Sequence, residues 1–289
     1  MLAHAAQPAS DPDALYRDRE NLASARAAVA AWDARVKADA NDFESWWKLA
    51  RAYYWLGGHG PQEQRKQDLE RGISAAERAV TLATDRPEGY FWKAANMGAL
   101  AESFGLGQGI KYRGAIKETL ETVLKLDPKF QQGSADRALG RWYFKVPGFW
   151  GGSKKKSEEH LRKSLTYNPN SHSSRFFLAE TLFSMGRDDE AVEELKAILA
   201  APIDPDWAPE DREFKQKARE LLSKTRERDA APRRGNRAQL VQKKTFSWPV
   251  SHPARACDLL GRADMCIAQK HRATLNWSGS STGHGRRPP

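Results

Sequence analysis

Long apolar runs and cysteines are both scarce in this chain of 289 residues, and each shortage excludes a class of site or protein. No run approaches the length of about 18 consecutive apolar residues that would predict a membrane-spanning helix. The two cysteines, Cys257 and Cys266, lack the second pair or the histidine motif that a zinc site needs. We therefore expect no transmembrane segment, no metal site and no cofactor.

Catalytic motifs are scarce as well. His59, His160 and His172 are isolated in the sequence, and the patterns H-E-x-x-H, G-x-S-x-G and the phosphate loop do not occur. The segment Gly105–Gly109 is rich in glycine, but no strand precedes it, so it predicts a turn between two helices rather than a phosphate-binding loop. The sequence thus predicts a protein that is not an enzyme.

Acidic residues are nearly missing from the end of the chain. Residues 231–289 hold 11 Lys or Arg against two acids, whereas residues 1–230 hold 36 basic and 35 acidic side chains. This composition predicts a disordered basic tail over residues 229–289. Such a composition is expected both of a functional basic tail and of a read-through or out-of-frame extension. Nucleic-acid contact through the tail is a remote alternative, because a phosphate-binding footprint is expected on the folded unit, which is almost neutral.

Three stretches of the chain repeat one pattern: Trp46–Tyr53, Arg137–Tyr143 and Phe176–Leu182. Each combines aromatic or apolar residues with a small pair such as Leu139-Gly140, and a second apolar helix and a proline follow. Because a small pair lets two helices approach closely, the pattern predicts helical hairpins whose apolar faces are buried by the next hairpin.

The pattern resembles the tetratricopeptide repeat (TPR), a helix-turn-helix unit of roughly 34 residues. In the last repeat, Leu178-Ala179 match the close-approach pair of the family, Gly186 ends the first helix, and Pro202 closes the unit. The resemblance implies an all-α fold, a right-handed solenoid of antiparallel helix hairpins.

Loop lengths are similar to those of a narrower group. The run Asp136–Arg141 and the glycine-rich insertion before Lys154 resemble the bacterial TPR proteins associated with TRAP-type transporters and, more distantly, the eukaryotic regulators of microtubule dynamics. This resemblance implies a bacterial accessory of a transport system.

We expect a disordered N-terminus over residues 1–12, followed by a helical repeat domain over residues 13–228. Its predicted elements are a leading helix near 14–38, four helix pairs and a capping helix near 209–226. The first pair is expected near 42–57 and 61–84, and the second near 87–105 and 108–126. The third is expected near 134–145 and 153–167, and the fourth near 172–185 and 187–200. Residues 1–7 lack the charged region and apolar core of a secretion signal. The sequence as written predicts a cytoplasmic protein, and a periplasmic or exported one if the signal is truncated.

In the TPR family, the first helix of each hairpin lines a concave groove. Transferred to this sequence, the resemblance implies a groove lined by Trp47, Arg51, Tyr54, Trp92, Asn96, Arg137, Arg141, Phe144, Phe176, Glu180 and Phe183. Aromatic and Arg side chains dominate binding energies at interfaces, although an aromatic at helical spacing can also pack between repeats. The loop residues Phe149 and Trp150 are further candidates, which either cover the groove, meet a partner chain or pack back onto the neighbouring hairpin.

Two functions agree with these features. The first is a non-enzymatic scaffold that binds a protein or peptide partner through the groove. The alternative is a carrier of a hydrophobic or carboxylated small molecule in a closed cavity. An open groove would favour the peptide partner, and a sealed groove would favour the ligand. We also expect that Arg137→Ala and Arg141→Ala weaken binding with little change in stability. The sequence leaves the oligomeric state open.

Overall fold

The computed structural model describes residues 11–230, and within them the chain forms eleven α-helices and two short 3-10 turns, with no strand. This confirms the predicted all-α helical-repeat fold. The described residues do not include 1–10 and 231–289. Both cysteines and most of the two segments predicted to be disordered lie in these two ranges. The helices are α1 (Pro12–Arg17), α2 (Leu22–Ala38), α3 (Phe43–His59), α4 (Arg65–Leu82), α5 (Pro87–Ser103), α6 (Leu106–Leu126), α7 (Phe130–Lys145), α8 (Lys154–Tyr167), α9 (His172–Ser184), α10 (Asp188–Ala200) and α11 (Ala208–Ala230).

Local signals fix many of the helix ends. The Asp42 carboxylate accepts the Ser45 backbone N–H at 3.0 Å and so caps α3. Pro87 occupies the first turn of α5, where its missing N–H costs no hydrogen bond. Gly186 lies just beyond α9 with a φ of +77°, a conformation that favours glycine. The hairpin turns are therefore encoded by residues next to them.

The predicted leading helix near 14–38 is wrong in one respect, because the structure divides it into α1 and α2. The break falls after Arg17, where the Asn21 side chain accepts the Ala23 backbone N–H at 3.0 Å and starts a new helix. The break lets α1 lie against α3, with Asp13 within 2.7 Å of Lys48 and 3.4 Å of Arg51.

The helices of each predicted pair pack against each other, and successive pairs stack through α4 with α5, α6 with α7 and α8 with α9. We call α3, α5, α7 and α9, the first members of the four pairs, the inner helices. Buried apolar side chains form two clusters, one from α1 to α7 and one from α8 to α11. Each hairpin thus buries the apolar face of its neighbour, as a repeat fold requires.

The first turn of α7 is distorted. Gln131, Gln132 and Gly133 have φ values of 43°, 59° and 79°, in the left-handed region that is unfavourable for residues with a side chain. A Cβ on Gly133 would lie 2.5 Å from Tyr167, so glycine allows α7 to approach the end of α8 here. The regular part of the helix, which carries Arg137 and Arg141, therefore begins near Ser134, as predicted.

The last helix returns to the start of the domain. Phe214 is fully buried on α11 and packs against Phe176 and Phe177 of α9, with ring centroids 5.4 and 5.7 Å apart. Near its N-terminus, Glu210 forms an ion pair with the buried Arg19, which follows α1. The α11 helix therefore connects the second apolar cluster to the N-terminal part of the first.

Three further contacts hold α11 against the N-terminal part of the domain. The Arg19 guanidinium donates to the carbonyl of Asp206 at 3.4 Å, Arg212 forms an ion pair with Glu20, and His59 lies 2.6 Å from Glu213. These contacts join residues that are far apart along the chain. They place α11 and the turn before it, Pro205–Trp207, across the inner helices.

The close packing of α7 on α8 can be tested at Gly140. A Cβ at this position would lie 2.6 Å from Cγ of Leu161 and 3.1 Å from the Ser157 carbonyl oxygen. Because the leucine side chain cannot fit without moving α8, we expect Gly140→Leu to lower the free energy of unfolding by about 1 to 3 kcal/mol, measured by chemical denaturation.

Gly114 provides the matched control. It lies within α6, and a Cβ there would meet nothing within 4 Å. Since leucine is the better helix former, Gly114→Leu should leave the stability unchanged or raise it by up to about 1 kcal/mol. Equal stabilities of the two variants would contradict the hairpin packing.

Candidate binding site

Side chains of α1, of the inner helices α3, α5 and α7, and of the segment 205–210 meet where the family pattern predicts a groove. Between them a cavity of only about 20 Å³ is lined by Tyr16, Tyr54, Phe91, Trp92, Arg137, Trp207 and Glu210. The ring centroids of Tyr54 and Trp92 lie 5.6 Å apart at this cavity. A space of this size holds about one water molecule and no organic ligand.

A larger cleft of about 470 Å³ lies beside this cavity and opens to the surface. Its walls come from three segments: the distorted start of α7, the loop between α8 and α9, and the segment from Pro202 to the start of α11. The residues that line it are Gln131, Gln132, Arg137, Tyr167, Asn168, Pro169, Asn170, Ser171, Ser173, Pro202, Ile203, Asp204, Pro205, Trp207, Glu210 and Asp211. Arg137 lines both the cavity and the cleft, so we call this space the Arg137 cleft.

Arg137 is unusual among the basic residues of the domain. Its side chain is 6% exposed, and it makes no hydrogen bond or ion pair with any residue in the described part of the chain. Its Nε is buried without an acceptor. Burial lowers the pKa of Arg137 from its ordinary value to about 10, although Tyr54, Glu210 and Asp211 partly offset this effect. The cleft therefore presents an unpaired buried cation.

The acidic side chains of the Arg137 cleft, in contrast, have partners. Glu210 is held by Arg19, and Asp211 lies 3.0 Å from Nδ1 of the buried His172 and accepts the backbone N–H of Asp204 at 2.9 Å. At the rim, the Asp204 carboxylate accepts the backbone N–H of Asp206 at 3.0 Å. An incoming anion would thus meet a cation that has no competing partner.

Six of the eleven predicted groove residues are buried within the domain. These are Tyr54, Trp92, Asn96, Arg137, Arg141 and Phe176. Asn96 serves as a link between helices, since its Nδ2 donates to the carbonyls of Ala50 at 3.1 Å and Trp92 at 2.8 Å. Of the six, Tyr54, Trp92 and Arg137 line the small cavity, and Arg137 alone also reaches the open cleft.

Arg141 lies one helical turn after Arg137 but has a different environment. Its guanidinium donates to Glu180 at 2.6 Å, lies 3.7 Å from Glu102, and covers the ring of Phe177 at 4.7 Å. These contacts join α7 to α5 and α9, across the boundary between the two apolar clusters. Arg141 therefore stabilises the stacking of repeats, which differs from the expectation that its replacement leaves stability unchanged.

The remaining groove candidates, Trp47, Arg51, Phe144, Glu180 and Phe183, are half-buried. Arg51 lies 4.0 Å from the centre of the Tyr16 ring of α1, and the indole N–H of Trp47 donates to Glu44 at 2.8 Å within α3. In the loop between α7 and α8, Phe149 is 80% exposed, while Trp150 is half-buried with Arg113 5.5 Å from its ring. Phe149 therefore does not pack back onto the neighbouring hairpin.

Sequence reasoning missed several residues of the cleft. The capping helix predicted near 209–226 contains Glu210 and Asp211, but the repeat pattern assigns a binding role to neither of them, nor to Trp207, Gln131 and Gln132. Their common signal is weak: each lies within two residues of a proline or glycine near the end of an element. Their convergence depends on the return of α11, which no local pattern indicates.

Two further properties concern residues 11–230. No cluster of three or more His, Cys, Asp or Glu side chains there is arranged to hold a metal ion. No helix in the same range combines the length and hydrophobicity needed to span a bilayer.

Comparisons with known proteins agree with the fold. The model of the family "regulator of microtubule dynamics protein 1-3" matches residues 11–149, just under half of the chain. Among solved structures, TTC0263, described as a thermophilic TPR protein of Thermus thermophilus, is 20% identical with a TM-score of 0.55, and the match covers 75% of this chain and 100% of that one. MamA is also 20% identical, with a TM-score of 0.42 and coverage of 69% of this chain and 95% of its own. No curated protein matches the chain. The chain is therefore a TPR-like helical-repeat protein.

Proposed function

We propose that this protein is a non-enzymatic scaffold that binds an acidic segment of a partner protein in the Arg137 cleft. A TPR-like fold supports protein–protein interaction as the general function. The observation that carries the specific proposal is the buried guanidinium of Arg137, which lacks any partner among the described residues and lines an open cleft.

The chemistry of the cleft favours a carboxylate. A guanidinium forms charge-assisted and often bidentate hydrogen bonds with carboxylates, and such bonds are stronger when water is excluded. The polar side chains of the α8–α9 loop, such as Asn168, Asn170 and Ser173, can bind the backbone of an extended segment. Trp207 and Ile203 add apolar surface for a neighbouring side chain.

A small carboxylated ligand is the second candidate, and the cleft volume supports it. About 470 Å³ lies within the range of small-molecule sites. The cavity between the inner helices and α11 is too small for this role, so we place either occupant in the cleft. Of the residues that the family pattern predicts for the groove, only Arg137 then contacts the bound molecule. The other candidates hold Arg137 in position.

The resemblance to transporter-associated TPR proteins suggests that the partner is a component of a transport system. This identity rests on the resemblance and not on the cleft. The binding chemistry proposed here does not depend on it.

The proposal is tested by selecting from a random peptide library with the full chain. We expect the selected peptides to share an Asp, a Glu or a free C-terminal carboxylate. We expect Arg137→Gln to weaken their binding by more than about tenfold, because the charge-assisted bond is lost. Dissociation constants measured by fluorescence polarisation provide the comparison.

Lys224→Gln is the matched control, because Lys224 is an exposed cation on α11 outside the cleft. It should bind the peptides as the natural chain does. Selected peptides that bind Arg137→Gln within twofold of the natural chain would contradict the proposal. Full competition by a short dicarboxylic acid at similar affinity would favour the small ligand instead.

A further inference from the structure

A second surface, distinct from the Arg137 cleft, combines exposed apolar side chains. Phe149 is 80% exposed at the loop between α7 and α8, and Ile110 and Phe104 near the start of α6 are 48% and 41% exposed. They account for three of the five large apolar side chains that are exposed in the described residues. Exposed aromatic and aliphatic groups that cluster in this way mark a contact surface.

The two segments that carry these side chains are neighbours. The indole N–H of Trp142 donates to the Arg113 carbonyl at 3.0 Å, and the Arg113 guanidinium lies 5.5 Å from the ring of Trp150. Ile110 precedes Arg113 by one helical turn and so lies on the same side of α6. The rings of Phe149 and Trp150 are 4.7 Å apart. We call residues 104–113 and 145–156 together the Phe149 patch.

The charge of the Phe149 patch is entirely positive. It contains Lys111, Arg113, Lys145, Lys154, Lys155 and Lys156 and no acidic residue. None of these six side chains forms an ion pair within residues 11–230, whereas basic residues elsewhere, such as Arg175 and Arg187, have carboxylate partners. In a domain whose basic and acidic residues almost balance, this is a local excess of unneutralised positive charge.

We propose that the Phe149 patch docks the protein on an anionic lipid surface. In this arrangement Phe149 and Ile110 enter the interfacial region of the bilayer, and the lysines around them contact the lipid headgroups. Aromatic rings favour this depth, long lysine side chains reach from it to the headgroups, and each basic residue adds attraction to anionic lipid. Lipid docking goes beyond the proposed peptide binding and does not depend on it.

The apolar tip favours lipid over nucleic acid. A basic surface alone would suit either, but Phe149 is 80% exposed in a loop whose neighbouring Gly148 also faces open space. Stacking on bases usually uses aromatic rings set in a groove that follows the phosphate backbone. Here the ring stands at an exposed loop tip, as a side chain that inserts into a membrane does.

The test measures binding of the full chain to vesicles of phosphatidylcholine with about one third phosphatidylserine, a strongly anionic composition. All variants keep residues 231–289, whose 11 basic side chains could themselves attract anionic lipid. We expect Phe149→Ser to lower the partition coefficient by about tenfold. Lys145→Gln with Lys155→Gln should lower it by about 25-fold, on the basis of about fivefold per lysine. Neither lysine forms an ion pair with a described side chain, so folding should be unaffected.

Lys129→Gln with Lys224→Gln is the matched control, since both lysines are exposed and lie outside the patch. A fluorophore attached at one position distinguishes binding through the patch from binding through residues 231–289. In a chain with Cys257 and Cys266 replaced by serine, an environment-sensitive fluorophore on Phe149→Cys should become brighter when vesicles are added. The same fluorophore on Lys224→Cys should not. The proposal is overturned if the patch variants partition like the control and the fluorophore at position 149 stays in water. It is also overturned if the lysine changes weaken binding to a DNA duplex but not to vesicles.

Discussion

Arg137→Met is expected to raise the free energy of unfolding by about 1 to 3 kcal/mol, although it replaces a buried residue at the centre of the domain. The natural side chain buries a cation whose Nε lacks an acceptor, whereas methionine fills similar space without a polar group. Chemical denaturation at neutral pH measures the effect.

The free-energy cost of burying the Arg137 cation is present in full at neutral pH. Since burial lowers the pKa of Arg137 to about 10, the side chain is charged in both the folded and the unfolded chain below about pH 10. Above about pH 10 the folded chain loses the proton before the unfolded chain does, so the cost of burying the cation decreases as the pH rises further. A loss of stability in Arg137→Met at pH 7 would show that Arg137 supports the fold and would remove the main support for a binding role.

Arg141→Ala is expected to have the opposite effect, lowering the free energy of unfolding by about 3 to 5 kcal/mol. The side chain is 1% exposed and balances the carboxylates of Glu180 and Glu102 between α5, α7 and α9. Its removal leaves those carboxylates without their cation and opens a gap beside Phe177. The same denaturation experiment detects the change.

Arg187→Ala is the control for the loss of an arginine ion pair. Arg187 pairs with Glu158 and Glu190 at the surface, where water and salt weaken the interaction, so its replacement should lower the free energy of unfolding far less than that of Arg141. If Arg141→Ala is no more destabilising than Arg187→Ala, the role of Arg141 in joining the repeats is incorrect.

The contrast between Arg137 and Arg141 shows what sequence reasoning could predict. The repeat pattern predicts a groove position on α7 for both residues, and the structure buries both side chains within the domain. Their different roles depend on partners far along the chain: Glu180 reaches Arg141, while Arg19 binds Glu210 and so leaves Arg137 without a carboxylate. Position within a repeat does not reveal which arginine is paired.

The helices themselves were predictable because their signals are local. Caps such as Asp42 and the proline at the start of α5 act on neighbouring residues. The break between α1 and α2 was missed because the apolar stripe continues through it, while the cap at Asn21 is a single residue. The return of α11 was missed because ion pairs between residues 191 positions apart leave no periodic signal.

The most direct test of the binding account is a double-mutant cycle between Arg137 and a peptide carboxylate. An acidic peptide selected with the natural chain, and its twin with the amide in place of the carboxylate, are titrated into the natural chain and into Arg137→Gln. We predict a coupling free energy of about 2 kcal/mol or more between the guanidinium and the carboxylate. A coupling near zero, with both peptides losing the same affinity on Arg137→Gln, would contradict the account.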